Sequence, residues 1–366
     1  MPSQVEERKL DHIQICLEED VQARKATTGF EDVFLVHKAL SEMDRDEIDL
    51  STAIFKHKIS APIIVGAMTG GAAEAMKINA AIAEAIQELG LGMGVGSQRV
   101  AIEKPTLEET FSVVRKKAPT AFLIANIGGP QLVRGYGVKE ARKAVEMMDA
   151  DALAIHLNPL QEAIQPEGET NYRGLVEKIG EIAEVLDVPV IVKETGAGIS
   201  AEVAKTLQKA GVTGIDVAGA GGTSWAAVEY YRAKVIKDDF RQRLGKTFWD
   251  WGIQTAASLV EVVRSVNLTV IASGGVRSGT DVAKALALGA NSVGMASPVL
   301  RPAVTSSNKV RRLLRFVIDE LRNAMFLVGA ESVEKLKGVP VVLTGKTAEW
   351  LKMRGFQPEL YARRNP

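Results

Sequence analysis

From residue 61 onward the chain keeps repeating one unit, a short apolar run, a turn, and a stretch with helical spacing. Runs at 62–67, 91–96, 121–126, 152–157, 190–193, 214–218, 270–272 and 292–296 read as strands. Helical spacing follows at 77–89, where Ile78, Ile82 and Ile86 share a face, at 107–117, at 139–148, and at Leu175, Ile179, Ile182 and Leu186. Gly90 closes the first of these helices, and Ser278 with Asp281 marks the start of another that carries Val282 to Leu288. Eight strands, each followed by a crossover, spread over about 270 residues, fit a single α/β domain, a (β/α)8 TIM barrel, whose usual core is about 250 residues. A doubly wound open sheet is the rival, but it carries its glycine fingerprint in the first βα turn, whereas here the richest glycine turns come late.

The expected organisation is an N-terminal arm or lid over 1–60, the barrel over 61–330, and a C-terminal helical tail over 331–366. The arm is charged and irregular in pattern; the helix with Leu314, Val317, Leu321 and Met325 is the last expected to pack on the barrel. Lys plus Arg and Asp plus Glu number 45 each, so no overall field draws the chain to nucleic acid or an anionic membrane, and an anionic ligand needs a local site. The lone Cys16 excludes an internal disulfide and any multi-cysteine metal site. No leader-like segment or spanning apolar run is present, so a cytoplasmic location is expected.

In a barrel of this kind the C-terminal strand ends share one pocket. Collected from the sequence, they are Met68 and Thr69, Ser97 to Arg99, Asn126, His156 to Asn158, Lys193, Asp216 to Thr223, Ser273 to Arg277, and Met295 to Ser297. Ser273-Gly274-Gly275 after the seventh strand leaves bare backbone N–H groups, a setting for phosphate. A lysine directly after Val190-Ile191-Val192 is expected to be buried and to need a partner. Lysine at one strand end, amides and hydroxyls at others, and late glycine turns together suit FMN, with Lys193 compensating electron density at the ring's N1 and O2 edge.

Several motifs, in order from residue 8 to about 300, then carry a resemblance: Arg8-Lys9-x-x-His12, Ala67-Met68-Thr69-Gly70-Gly71, Gly94-Val95-Gly96-Ser97-Gln98-Arg99, His156-Leu157-Asn158-Pro159-x-Gln161-Glu162, Gln165-Pro166-Glu167-Gly168, Val192-Lys193-Glu194 and Gly221-Gly222-Thr223-Ser224-Trp225. The chain resembles the type 2 isopentenyl diphosphate isomerases. That resemblance implies an FMN- and Mg-dependent enzyme interconverting isopentenyl and dimethylallyl diphosphate, with NAD(P)H as reductant, assembled as a homo-oligomer (tetramer or octamer). It implies FMN on Ala67, Met68, Thr69, Ser97, Asn126, Lys193 and Thr223, with its phosphate on Gly275, Val276, Arg277, Ala296 and Ser297. Substrate diphosphate is implied on Arg8, Lys9, His12, Ser97, Gln98, Arg99 and Gln161, and Mg on Glu162. The implied catalytic residues are His12, His156, Asn158, Gln161 and Lys193. Two other flavin-barrel chemistries fit less well. Inosine monophosphate dehydrogenase needs a cysteine in the barrel loops, whereas Cys16 precedes the barrel. A 2-hydroxy-acid oxidase needs a late histidine base, whereas His12, His37, His57 and His156 all lie in the N-terminal half. A flavin-free phosphate-binding protein on the same fold is the remaining alternative.

Overall fold

The computed structural model describes residues 4–364. Its strands are β1 (Val33–Leu35), β2 (Thr52–Ile54), β3 (His57–Ile59), β4 (Ile63–Val65), β5 (Gly92–Gly94), β6 (Phe122–Gly128), β7 (Ala152–His156), β8 (Val190–Lys193), β9 (Gly214–Asp216), β10 (Thr269–Ala272), β11 (Ser292–Met295) and β12 (Val341–Leu343). Strands β4 to β11 close into one barrel through parallel pairings, with β11 beside β4 and β9 beside β10. All eight coincide with runs read from the sequence. Most of their residues are apolar and buried on both faces, as parallel strands covered by helices must be, with Asn126, His156, Lys193 and Asp216 at or near the ends that face the mouth.

The helices follow the same logic. Ala73–Leu89 buries Ile78, Ile82 and Ile86 and ends at Gly90 in the left-handed conformation. Gly279–Ala287 opens on Ser278, whose hydroxyl accepts from the Asp281 N–H while Asp281 caps in return. The stretch after β9 holds three helices, Trp225–Val235, Asp239–Thr247 and Thr255–Val263. The crossover after β8 holds a further unforeseen helix, Ala201–Lys209, with the narrow buried face Ala201, Ala204 and Leu207.

The arm is more ordered than its sequence pattern suggests. It begins with the helix Gln4–Glu18. Hairpin β2–β3 plugs the lower end of the barrel, where Ile54 and Ile59 pack on Ile64, Phe122, Ile124 and Ile271. Residues 331–364 are not a loose tail, because β12 pairs antiparallel with β1 of the arm. Asp32 fastens the same junction, its carbonyl accepting from Thr344 N at 3.0 Å and its carboxylate from Thr347 N at 2.9 Å. No helix among the described residues is long and apolar enough to cross a membrane.

Candidate active site

The C-terminal ends of the strands surround a cavity of about 290 Å3, roofed by the helix Gln4–Glu18 through Arg8, Lys9, His12, Ile13 and Cys16. Every residue expected to bind cofactor, substrate or metal or to act in catalysis lines this mouth except Gln98; of the wider strand ends, Leu157, Val217, Ala220, Gly221 and Met295 do not. Gln98 is fully buried on the other side of its strand end. Its amide donates to Ala144 O at 2.8 Å and its Oε1 accepts from Asn126 N at 2.8 Å. Gln98 is the N-cap of the short helix Arg99–Glu103, and its side chain turns inward under the loop while Ser97 and Arg99 line the mouth. It positions Asn126 and touches no ligand space, which corrects its expected contact with substrate.

One wall is cationic. Lys9 Nζ donates to Gly70 O at 2.8 Å and Ser97 O at 2.7 Å, and burial, together with the nearby Arg8 charge, lowers its pKa to about 7. A dense anion beside it favours the charged form again. Arg8 lies 3.6 Å from Glu167, and Arg99 lies 2.9 Å from Glu103 and 3.5 Å from Glu169. These carboxylates hold the guanidinium groups in place. His12 donates from Nε2 to Glu229 Oε1 at 3.0 Å and meets Trp225 edge-on at 5.2 Å.

Glu229 was not foreseen. It is completely buried, accepts from Gln161 Nε2 at 2.9 Å and pairs with Arg232 at 2.7 Å. Burial pushes its pKa up, but the His12 and Arg232 contacts and the Gln161 bond outweigh that and bring it down to about 2. Its helix, Trp225–Val235, is apolar on nearly every side, which hides a helical period; a Glu with Arg three residues on, inside such a run, is the signal that was there to find.

Glu162 sits on the short helix Pro159–Ile164. Its Oε1 accepts from Asn158 Nδ2 at 2.8 Å and its Oε2 from Gln165 Nε2 at 2.5 Å and Glu169 N at 2.7 Å. Because both amides turn their NH2 groups toward Glu162, the buried Asn158 Oδ1 and Gln165 Oε1 have no hydrogen-bond partner. One carboxylate with two free neutral oxygens is an all-oxygen donor set, the kind Mg takes. No group of three or more His, Cys, Asp and Glu that could hold a metal exists among the described residues.

Deeper in the mouth, His156 Nδ1 lies 2.8 Å from Asn126 Oδ1, and the Asn126 amide donates to Val95 O at 3.0 Å. A carbonyl oxygen only accepts, so Nδ1 carries the proton and Nε2 the lone pair. Burial, then the Lys193 charge, lowers the His156 pKa to about 3, so the ring is neutral near pH 7. Lys193 Nζ donates to Glu194 O at 2.6 Å. Glu194 in turn accepts from the N–H groups of Thr195, Gly196 and Ala197 and so fixes the loop after β8.

The opposite wall is a backbone cradle. The N–H groups of Gly275 and Val276 have no acceptor among the described residues. Arg277 N and Ser278 N donate to Asp281, and Gly279 N donates to Glu320, so the start of that helix is already occupied by carboxylates. The free anion-binding groups are therefore those of Gly275 and Val276, joined by the start of the helix Ser297–Thr305. The Thr69 hydroxyl, buried in the mouth wall, likewise lacks a partner. These groups fit a flavin phosphate and polar ring edge.

Residues 2–125 and 167–341 match the FMN-dependent dehydrogenase family. The isopentenyl-diphosphate delta-isomerases of Methanosarcina barkeri and Methanothermobacter thermautotrophicus are each 51% identical to this chain, over 99% of it and over 98% and 100% of their own lengths. The chain belongs to the isopentenyl-diphosphate delta-isomerase family. The relative from Pyrococcus furiosus is 52% identical over 95% of this isomerase and 89% of itself. Among solved structures, a mandelate oxidase variant with an FMN adduct superposes at a TM-score of 0.61 with 21% identity, covering 94% of each chain. Mandelate oxidase with (S)-2-phenylpropionate gives 0.63 and 22%, covering 93% of this isomerase and 97% of the oxidase. At that identity the likeness shows the shared barrel alone.

Proposed function

We propose that this isomerase interconverts isopentenyl and dimethylallyl diphosphate in the mouth of the barrel, with FMN against the Gly275–Val276 wall and Mg beside Glu162. The observation that carries the reading is the pairing, in one cavity, of a backbone anion cradle with a separate cationic wall of Arg8, Lys9 and Arg99. Glu162, Asn158 and Gln165 would hold Mg, which neutralises diphosphate charge. Thr69, Ser97, Asn126, Lys193 and Thr223 would meet the flavin. NAD(P)H is the proposed reductant. A homo-oligomer, a tetramer or octamer, is the proposed assembly; the exposed side chains of Val235, Ile236, Phe240 and Trp251 support association.

Moving the double bond requires a proton placed on an unactivated carbon and another removed nearer the diphosphate. His156 is neutral and offers only a lone pair at Nε2, and Glu229 is ionised and already bonded to His12, Gln161 and Arg232. The protein's own groups therefore lack a strong acid, while Arg8, Lys9 and Arg99 bind and orient the substrate and the arm helix excludes water. Reduced FMN, when bound, offers protonated ring nitrogens that give and take a proton without net redox change.

The test is anaerobic incubation of isopentenyl diphosphate with protein, FMN, Mg and reductant. Dimethylallyl diphosphate is expected only when the flavin is reduced, and reduced 5-deaza-FMN is expected to leave little activity. Near-native turnover with 5-deaza-FMN would show that a side chain is the acid; absence of product with native FMN would end the reading. A milder prediction concerns the roof. Arg8→Ala is expected to raise KM roughly tenfold with a smaller effect on kcat, since losing a charge-assisted bond costs about 1.5–3 kcal/mol. Unchanged kinetics would make the arm a bystander.

A further inference from the structure

The mouth has a floor. Beneath it, on the barrel axis, lies a cavity of about 20 Å3 walled by Ile64, Ala154, Ile191 and Ile271, into which Asn126, Lys193 and Asp216 bring polar groups. That is room for one water with polar partners. Asp216 ends β9 directly beside Lys193, its Cα partner at the end of β8. Ser273, at the end of β10, donates its hydroxyl to Asp216 Oδ1 at 2.5 Å. The N–H of Ala218 donates to the same oxygen at 3.3 Å, and Ala218 is held at a φ of 35°, a conformation that side-chain-bearing residues rarely adopt. A strained turn is thus built around this carboxylate. The reaction scheme above assigns Asp216 no part, yet a buried carboxyl needs a reason to be there.

We propose that Asp216 is the positioning residue for Lys193, a counter-group beneath the flavin that faces the lysine and so sets how strongly the site favours reduced FMN. The inference rests on the FMN reading given above. Burial raises the Asp216 pKa, while the Lys193 charge, the Ser273 hydroxyl and the Ala218 N–H pull the other way. Ser273 Oγ and Ala218 N both donate to Asp216 Oδ1, so this oxygen is held as an acceptor. An unbalanced ammonium at the N1 and O2 edge favours the reduced, anionic ring; a carboxylate beside that ammonium moderates the effect. The chain thereby holds the flavin poised, reducible by its reductant yet not locked in one state.

The measurement is the two-electron midpoint potential of FMN bound to purified holoprotein, read against a reference dye, which does not depend on isomerase activity. Asp216→Asn is expected to shift the equilibrium about tenfold toward reduced flavin, about 30 mV for a two-electron couple. Ser273→Ala, which removes one donor to the carboxylate and keeps the side-chain shape, is expected to move the potential less. Lys193→Met is expected to move it the opposite way from Asp216→Asn. If both Asp216→Asn and Ser273→Ala bind FMN and match the wild-type potential, Asp216 is not a counter-group. Should Asp216→Asn fail to fold, the Ser273→Ala potential decides alone. Wild-type protein that takes up no FMN would instead refute the flavin reading on which this one rests.

Discussion

Replacing Glu162 by glutamine is expected to raise the Mg concentration needed for half-maximal rate at least ~100-fold and to lower kcat/KM accordingly, with FMN content and thermal stability retained. Loss of an outer-shell partner alone commonly costs about 10–100-fold in metal affinity, and here the carboxylate proposed to coordinate the metal directly is lost. The local network tolerates the change. Asn158 and Gln165 now aim their NH2 groups at Glu162 and leave their carbonyl oxygens unpaired. With an amide at position 162, either neighbour can turn over and satisfy the new NH2 through an oxygen that has no partner at present. The packing survives, whereas the negative charge does not. A Mg titration of the initial rate, with flavin absorbance as the loading control, decides it. The same half-saturating concentration in both proteins would remove Glu162 from the metal.

The second large effect is expected at a contact between two loops. Gly222, after β9, lies so close to the cradle after β10 that a Cβ there would fall 2.5 Å from Gly275 N and 2.7 Å from Gly275 Cα. The neighbouring atoms are backbone, which cannot swing aside as a side-chain end can. Gly275 itself has a φ of 74°, so the cradle has little freedom to adjust. Gly222→Ala therefore has to displace the Gly275 N–H, one of the two free donors in the cradle. Overpacking of this kind costs about 1–3 kcal/mol, which corresponds to roughly 10–100-fold in FMN affinity. Titration of the apoprotein with FMN, followed by flavin fluorescence, measures it. Wild-type affinity in Gly222→Ala would mean that the phosphate does not use this cradle.

The barrel was legible because its strands are buried on both faces and read as unbroken apolar runs, from Ile63-Ile64-Val65 to Ser292-Val293-Gly294-Met295. The mouth was legible because strand ends converge in this architecture whatever the loops do. What escaped did so for two physical reasons. Helix Thr255–Val263 buries every residue from Thr255 to Val262, so no polar face marks its period, and Trp225–Val235 hides Glu229 in the same way. The arm and tail stabilise each other across the whole length of the chain, and pairing between residues some 300 apart leaves no trace in a local window. Gln98 was misplaced because a helix begins directly after it, at Arg99, and a helix start so close to a strand end leaves no period in the sequence to show which way its cap residue turns.

On the ribosome, the arm must wait. Residues 21–32 back the flavin cradle: Ala23 N bonds Gly222 O, Ala256 N bonds Thr28 O, and the Thr27–Thr28 backbone abuts Gly221. The loops that segment backs are made some two hundred residues after it, and the strand that pairs with Val33–Leu35 later still, at Val341–Leu343. Synthesis proceeds at about 5–20 residues per second, so the segment spends about 10 s or more without its partners before it can seat. The cradle is thus backed only once these later loops exist, and flavin loading follows them.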